Sequence, residues 1–295
     1  MADAPGTGSI YDLGYRHYDG VRLGRRHAVW ALYLHSLRNV FGVGRSFWAK
    51  AAAFGILAIV LVPAVVQLGI ATIAPQDVDV VAPEDYYGII EPLLAVFCAI
   101  VAPELAGRDQ RTHTLPLYFS RALLRDDYAL AKFFALVTGM LTLTVVPQML
   151  MFTGNASAAD NSLDYFRDNW QDIPAILASA IFLSGLVAAV GLVIASQTPR
   201  RAYSTVGILA AFLLVSAIAG SVFEAADRDT GRLIILLSPF HLARGTTLWL
   251  FGADLDTDSQ FARADLPGAV YCLAMVSLTL VMLGLLLRRY RGLST

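Results

Sequence analysis

The chain has 295 residues, of which 57% are apolar and only 15% are charged, and its net charge is -1. About a quarter of the residues of a soluble domain are charged, so this composition excludes an ordinary soluble protein. Both cysteines, Cys98 and Cys272, lie inside apolar runs. Their placement argues against a disulfide framework and against a cysteine-ligated metal site.

The N-terminal residues 1–24 show no hydrophobic periodicity. Their aromatic and polar stretch, Tyr11–Gly20, suits an ordered cytoplasmic tail or, alternatively, a docking segment for a partner. The first apolar run begins only near Phe47, after a charged stretch longer than the n-region of a signal peptide, so we expect this run to be a mature span. We divide the chain into residues 1–45, a tail with an interfacial helix, and residues 46–295, a single membrane domain.

A basic amphipathic helix is predicted just before that run, from Arg25 to Phe41. Its apolar residues recur at helical spacing, and its basic residues lie mostly off the apolar stripe. A basic helix that carries aromatic residues is expected to lie flat in the membrane interface. The stripe comprises Val29, Trp30, Tyr33, Leu37, Val40 and Phe41.

Six apolar runs are long enough to cross the bilayer, which requires roughly 20 residues in a helix. The chain is therefore expected to be an all-α polytopic membrane protein. The predicted spans are Phe47–Ile73, Tyr87–Ala102, Lys132–Phe152, Pro174–Ser196, Tyr203–Phe223 and Pro267–Leu287.

A seventh apolar stretch, Leu233–Phe251, has Pro239, His241 and Arg244 at its middle. Charge at the centre of a bilayer is costly, and neither half of the stretch is long enough to span. We expect two short helices broken at Ser238-Pro239, forming a re-entrant or interfacial hairpin on the outer side, before the sixth span.

The distribution of charge predicts the orientation. With six spans, 17 of the 22 basic residues fall on the side that contains both termini, and 16 of the 23 acidic residues fall on the other side. Basic residues concentrate on the cytoplasmic side of membrane proteins. Both termini are thus predicted to be cytoplasmic, and a seven-span arrangement is disfavoured because it would place Arg288, Arg289 and Arg291 outside.

Several catalytic motifs are missing. Neither lysine, Lys50 or Lys132, belongs to a P-loop, and the chain has no H-E-x-x-H and no G-x-S-x-G motif. We therefore expect no catalytic residue, metal site or cofactor in this chain, and no nucleic-acid partner. The middles of the predicted spans also lack the ionisable residues that ion-coupled carriers use. Energy for any transport would then come from outside the bilayer, and an apolar path suits an amphipathic or lipid-like cargo.

The segment between spans 2 and 3, Pro103–Lys132, carries five basic residues: Arg108, Arg111, Arg121, Arg125 and Lys132. It contains a predicted short amphipathic helix, Leu115–Leu124. Because the segment is too long for a plain turn and is predicted to be cytoplasmic, we interpret it as the contact for a soluble partner.

This segment, together with the six spans, the interfacial helix and the broken hairpin, resembles the ABC-2 type permeases, the membrane subunits of bacterial ABC exporters. The family pattern is matched at Thr114-Leu115, Ser120-Arg121, Arg125 and Lys132. The chain departs from it at His113, Pro116 and Ala122, where Gly, Glu and Pro are common.

The resemblance implies a complex in the bacterial plasma membrane. Two permeases, identical or related, would pair with two P-loop ATPase subunits, which bind the ATP and Mg²⁺. The helix at 115–124 would be the coupling helix, helix 25–41 the connecting helix, and the hairpin an outer gate at Ser238, Pro239 and Phe240. The coupling contacts would be Thr114, Leu115, Tyr118, Phe119, Ser120, Arg121 and Arg125.

Within that helix, Leu115, Tyr118 and Phe119 are expected to fill an apolar cleft of the ATPase, since aromatic anchors dominate interface energies. Arg121 and Arg125 would meet acidic groups. An alternative is that the helix lies on lipid headgroups with its arginines at phosphates. For the whole protein, the alternatives to a permease are a non-transporting membrane scaffold and, less favoured, a secondary transporter.

Overall fold

The computed structural model describes residue 20 and residues 23–44, 47–73, 81–120, 123–159, 161–253, 255, 257 and 259–292. These residues contain helices and no strand. Most of the predicted docking segment Tyr11–Gly20 lies outside them, as does Arg121. The α-helices are α1 (Gly24–Val40), α2 (Phe47–Ile73), α3 (Pro83–Ala102), α4 (Arg108–Arg111), α5 (Leu115–Phe119), α6 (Arg125–Ala158), α7 (Ser162–Asp168), α8 (Asp172–Gln197), α9 (Arg201–Leu209), α10 (Val215–Ala225), α11 (Arg228–Leu237), α12 (Pro239–Phe251), α13 (Gln260–Ala264) and α14 (Gly268–Arg291).

Six helices in the described part of the chain are long and apolar enough to cross a membrane, which confirms the predicted multi-pass α-helical class. They are α2, α3 with α4, α6, α8, α9 with α10, and α14. Single π-helical turns, Pro103–Gly107 and Ala210–Leu214, join the members of the two composite helices. The third of the six is longer than predicted, because α6 has 34 residues and measures about 51 Å at 1.5 Å per residue.

Successive spans run in alternating directions, so the bundle has two distinct ends. At one end, Arg125 donates to the Arg291 carbonyl oxygen (2.7 Å) and Gln110 donates to that of Ser196 (3.1 Å). At the other, Gln148 donates to the Pro83 carbonyl oxygen (2.6 Å). We call the first the basic end, because it carries Arg111, Arg125, Arg201, Arg289 and Arg291, and the second the acidic end, because it carries Glu84, Asp85, Asp172 and Glu224.

The core is centred on α3 and α8, where 67% of the most apolar window of each is buried, against 17% in α14. Helices in lipid associate through close packing, which small residues permit. Gly191 of α8 is such a residue: a Cβ there would overlap the Cys98 sulfur of α3. The Cys98 thiol donates to the Val187 carbonyl oxygen across the same contact (3.5 Å). Outward faces of α2, α10 and α14 remain apolar and exposed, as lipid-facing surfaces are.

The predicted break at Ser238-Pro239 is confirmed, since α11 and α12 meet there at 97°. Ser238 caps α12, with its hydroxyl oxygen accepting from the His241 backbone N–H (3.5 Å), and Pro239 occupies the first helical position. The Ser238 hydroxyl also donates to that of Ser216 in α10 (2.9 Å). Ser238, Pro239 and Phe240 are all buried, and the Phe240 ring stacks on Phe212 at 5.3 Å.

Helix α1 forms within one residue of the predicted bounds, but its inward face differs from the predicted stripe. The buried residues are Leu32, Ser36 and Val40, whereas Trp30 is 58% exposed. The reason is the packing of α1 on the first turns of α6, where Val40 fills the space above Gly139. The residues Val29, Tyr33, Leu37 and Phe41 are half-buried at the edges of this contact.

Candidate functional site

The site is built around α5, at the basic end. Thr114 precedes the helix and its hydroxyl donates to the Asp109 carbonyl oxygen (3.3 Å), while the Ser120 hydroxyl closes the other end by donating to Leu117 O (3.0 Å). The helix ends at Phe119, so the predicted extent of Leu115–Leu124 is wrong at its C-terminal side. The cause is Leu124, whose backbone is extended because it caps α6.

The two rings that are predicted to enter a partner's cleft contact aromatic residues of the same chain. Tyr118 and Phe119 pack on the buried Tyr128 of α6, with ring centroids 5.6 and 5.9 Å away. Tyr128 in turn packs on the buried Tyr290 of α14 at 5.1 Å. This aromatic cluster joins α5 to the starting turn of one span and the last turn of another.

The side chains of α5 differ in their exposure. Leu115, Tyr118 and Phe119 are half-buried, whereas Leu117 is 67% exposed and Pro116 is also exposed. Sequence reasoning passed over Leu117. Its position two residues from both Leu115 and Phe119, and so on the opposite side of the helix from them, was the available signal.

Beneath the aromatic cluster lies a buried ion pair that sequence reasoning also missed. The Lys132 ammonium lies 2.9 Å from the Asp109 carboxylate, and the Tyr128 hydroxyl donates to the same carboxylate oxygen at 2.5 Å. The Lys132 side chain is only 4% exposed. A buried charge needs a partner, so this pair fixes α4 against α6. A polar cavity of about 560 Å³ lies alongside, lined by residues that include Asp109, Lys132 and Tyr118.

Further contacts tie the site to the remaining spans. Glu104 pairs with Arg201 of α9 (3.0 Å) and, more distantly, with Arg111 (3.7 Å). The Arg291 guanidinium of α14 forms a bidentate ion pair with the Asp126 carboxylate at the start of α6, with N–O distances of 2.7 and 2.5 Å. The basic end is therefore a connected network in which α4, α6, α9 and α14 share partners.

Helix α1 joins this network at its first turn. Arg25 donates two hydrogen bonds of 2.7 Å to the Asp127 carboxylate. These bonds raise the pKa of the Arg25 guanidinium above its ordinary value. Farther along, the Tyr33 and Thr138 hydroxyls are hydrogen-bonded at 2.9 Å.

Two apolar grooves flank α1. One, of about 520 Å³, separates it from α5 and is lined by His27, Ala28, Ala31, Leu32, His35, Leu117, Tyr118 and Leu123. The other, of about 790 Å³, lies between α1 and α6, with Trp30, Tyr33 and Phe134 among its walls. Neither could be read from the sequence, because each forms between helices distant in the chain.

Among the described residues, no group of three or more His, Cys, Asp or Glu side chains is arranged to hold a metal ion. No protein-family model matches the chain, and no curated protein matches it either. The candidate site therefore has to be interpreted from its own geometry.

Proposed function

We propose that this protein is the membrane subunit of an ATP-driven exporter of the ABC-2 type, with both termini in the cytoplasm of a bacterium. Two such subunits, identical or related, would pair with two P-loop ATPase subunits that bind ATP and Mg²⁺. The observation that carries the proposal is the way in which α5 packs on the bundle. A short helix between two spans presents two exposed apolar side chains, Pro116 and Leu117, and is fixed to the bundle through Tyr118 and Phe119.

Through these packing contacts, a displacement of α5 would be transmitted to the spans. A push on the helix acts directly on Tyr128 at the start of α6, and through Tyr290 on α14. The Lys132–Asp109 pair spreads the same force to α4 and the span that it ends. Coupling between distant sites is carried by contiguous packed side chains and ion pairs of this kind. Binding of the motor at α5 would thus bias the relative arrangement of three spans.

The contact with the motor follows from what α5 leaves exposed. Leu117 and Pro116 would enter a cleft of the ATPase, with the α1–α5 groove receiving an apolar side chain in return. Thr114, Leu115 and Ser120 border this surface. Arg121 and Arg125 would meet acidic groups on the motor. Leu117 replaces Tyr118 and Phe119 as the principal anchor, because those two rings are already engaged with Tyr128.

The cargo class follows from the larger groove. Its walls are mostly aromatic and aliphatic, with Arg25, Arg26 and Asp127 also in the lining, and it opens beside the N-terminal part of α6. A groove of this lining favours an amphipathic or lipid-like compound that enters from the inner leaflet. On the opposite side of the membrane, the hairpin of α11 and α12, with Ser238, Pro239 and Phe240 at its bend, would act as the outer gate.

The proposal is tested by purifying the tagged protein from its native host in mild detergent and identifying co-purified proteins by mass spectrometry. A stoichiometric P-loop ATPase is expected with the wild type and should be lost with Leu117→Asp. Leu163→Asp is the matched control, because Leu163 lies on α7 near the acidic end and is 69% exposed, against 67% for Leu117.

Other results would overturn the proposal. Partners without a P-loop would indicate a membrane scaffold, and retention of the ATPase by Leu117→Asp would exclude α5 as the contact. Transport by the purified chain alone, driven by an ion gradient, would indicate a secondary transporter.

A further inference from the structure

A second cavity, of about 620 Å³, lies at the acidic end, far from α5. It opens between the first turns of α3, helix α12 and the segment that leads into α13. Its volume lies within the range of about 300–1,000 Å³ that is usual for small-molecule sites. The expected outer gate, Phe240, contributes to its wall.

The feature that identifies this cavity as a binding site is Glu91. This residue lies eight positions inside α3, about 12 Å from the start of the helix, and it is only 6% exposed. Its Oε1 atom accepts no hydrogen bond from the described residues. Glu91 therefore lies deeper in its helix than the predicted span Tyr87–Ala102 implies. The difference arises because α3 begins at Pro83 rather than at Tyr87, with Glu84 and Asp85 favouring helix initiation in the first turn.

A buried carboxylate oxygen without a partner is unfavourable, and a hydrogen-bond donor supplied by a ligand would remove the penalty. The neighbouring cation does not supply it. Arg244 donates to the Glu84 carbonyl oxygen at 2.5 Å and is paired with the Asp85 carboxylate. Its guanidinium lies over Gly88, one turn before Glu91 on the same face of α3.

The polar side chain that α12 contributes to the cavity wall, His241, also has hydrogen-bond partners within the protein. The His241 ring nitrogens contact the Ser238 hydroxyl (2.7 Å) and the side-chain amide oxygen of Gln260 (3.1 Å), so both are used within the protein. Among the described residues of the lining, the acidic side chains are Glu84, Asp85 and Glu91 and the arginine is Arg244. The cavity is therefore electronegative, and its unused acceptor lies at the buried end.

The remaining walls are apolar. Phe240 and Leu248 of α12 and Phe261 of α13 face the same space. A ligand that fits these surfaces has one cationic donor group and an apolar body. Aromatic walls also favour a cation, because the ring faces carry negative charge density.

We propose that this cavity binds an organic primary ammonium compound, whose ammonium donates to Glu91 Oε1 and whose apolar body packs among Phe240, Leu248 and Phe261. The proposal does not rest on the motor contact at α5, since the two sites lie at opposite ends of the bundle.

The test uses the full chain in lipid nanodiscs and 2-phenylethylammonium as the probe, with isothermal titration calorimetry as the readout. Saturable binding to the wild type is expected, with at least a tenfold weaker affinity for Glu91→Gln. The neutral isostere 2-phenylethanol should not bind. Asp164→Asn is the matched control, since it removes an exposed carboxylate near the same end and should leave the affinity unchanged.

Folding is monitored by thermal unfolding of each variant. Glu91→Gln should unfold at the wild-type temperature or above, because it replaces a buried carboxylate with an amide of the same shape. Equal binding by wild type and Glu91→Gln, or binding of 2-phenylethanol with the same affinity, would overturn the proposal. Heat from sodium or potassium chloride without any from the amine would also overturn it, and would indicate an inorganic cation site.

Discussion

Removal of the Lys132 ammonium is the most informative perturbation of the basic end. Lys132→Met keeps the length of the side chain but leaves the Asp109 carboxylate without its cation. Loss of one partner of a buried pair costs about 3–5 kcal/mol. The lower value, about 3 kcal/mol, is expected here, because the Asp109 side chain remains 13% exposed and still accepts from Tyr128.

The assay is a double-variant cycle in mixed micelles, in which unfolding is followed by circular dichroism as the mole fraction of sodium dodecyl sulfate rises. Asp109→Asn should cost a similar amount, since it leaves Lys132 unpaired. The double variant should be more stable than either single variant, because no uncompensated charge remains and the asparagine oxygen still accepts from Tyr128. Asp164→Asn, whose pair with Arg167 is exposed, should change the free energy of unfolding by less than about 0.5 kcal/mol. The reasoning would be refuted if the losses of the two single variants added in the double variant, or if Lys132→Met were as stable as the wild type.

Two further predictions concern the packing of the bundle. Gly191→Ala should destabilise the fold by about 1–3 kcal/mol, because its Cβ would overlap the Cys98 sulfur, and the second change Cys98→Ala should restore part of the loss in the same micelle assay. Failure of the rescue would show that the α3–α8 approach is not limited by that sulfur. Ser238→Ala should cost about 1 kcal/mol through loss of the α12 cap, and Ser238→Thr, which keeps the hydroxyl, should lose less. Equal losses of stability for both variants would show that the loss comes from the change in side-chain size and not from the hydroxyl.

The spans and the hairpin break could be predicted because their causes are local. Apolar runs of bilayer length determine the spans, and Ser238 followed by Pro239 matches the residues preferred at the N-cap and first position of a helix. The same reasoning placed α1 within one residue. It did not identify the face of α1 that is buried, since that face is chosen by the small residue Gly139 of α6, more than 90 positions away.

The interior of the candidate site depended on tertiary contacts and could not be predicted. Lys132 was interpreted as a residue opening a span, and nothing in the segment shows that Asp109 lies beside it until α4 folds back on α6. The end of α5 was misplaced for a related reason. Leu124 belongs to the start of α6, where its backbone N–H donates to the Asp127 carboxylate at 3.1 Å, and this capping overrides the local helical pattern.

Glu91 shows how a small error in a helix boundary hides a site. With the span assumed to start at Tyr87, Glu91 counts as a residue of its first turn, near water. With the helix starting at Pro83, the same residue lies well inside and is buried. The proline at the first helical position and the two acids after it were the signals that pointed to the earlier start.

The central claim, that α5 is the contact for an ATP-hydrolysing motor, is tested most directly by site-specific photocrosslinking in the native membrane. A benzophenone amino acid at position 117 should crosslink to a P-loop ATPase, and the same amino acid at position 163 should not. Crosslinks from position 117 to lipid alone, or to proteins without a P-loop, would contradict the account and would favour a helix that rests on headgroups.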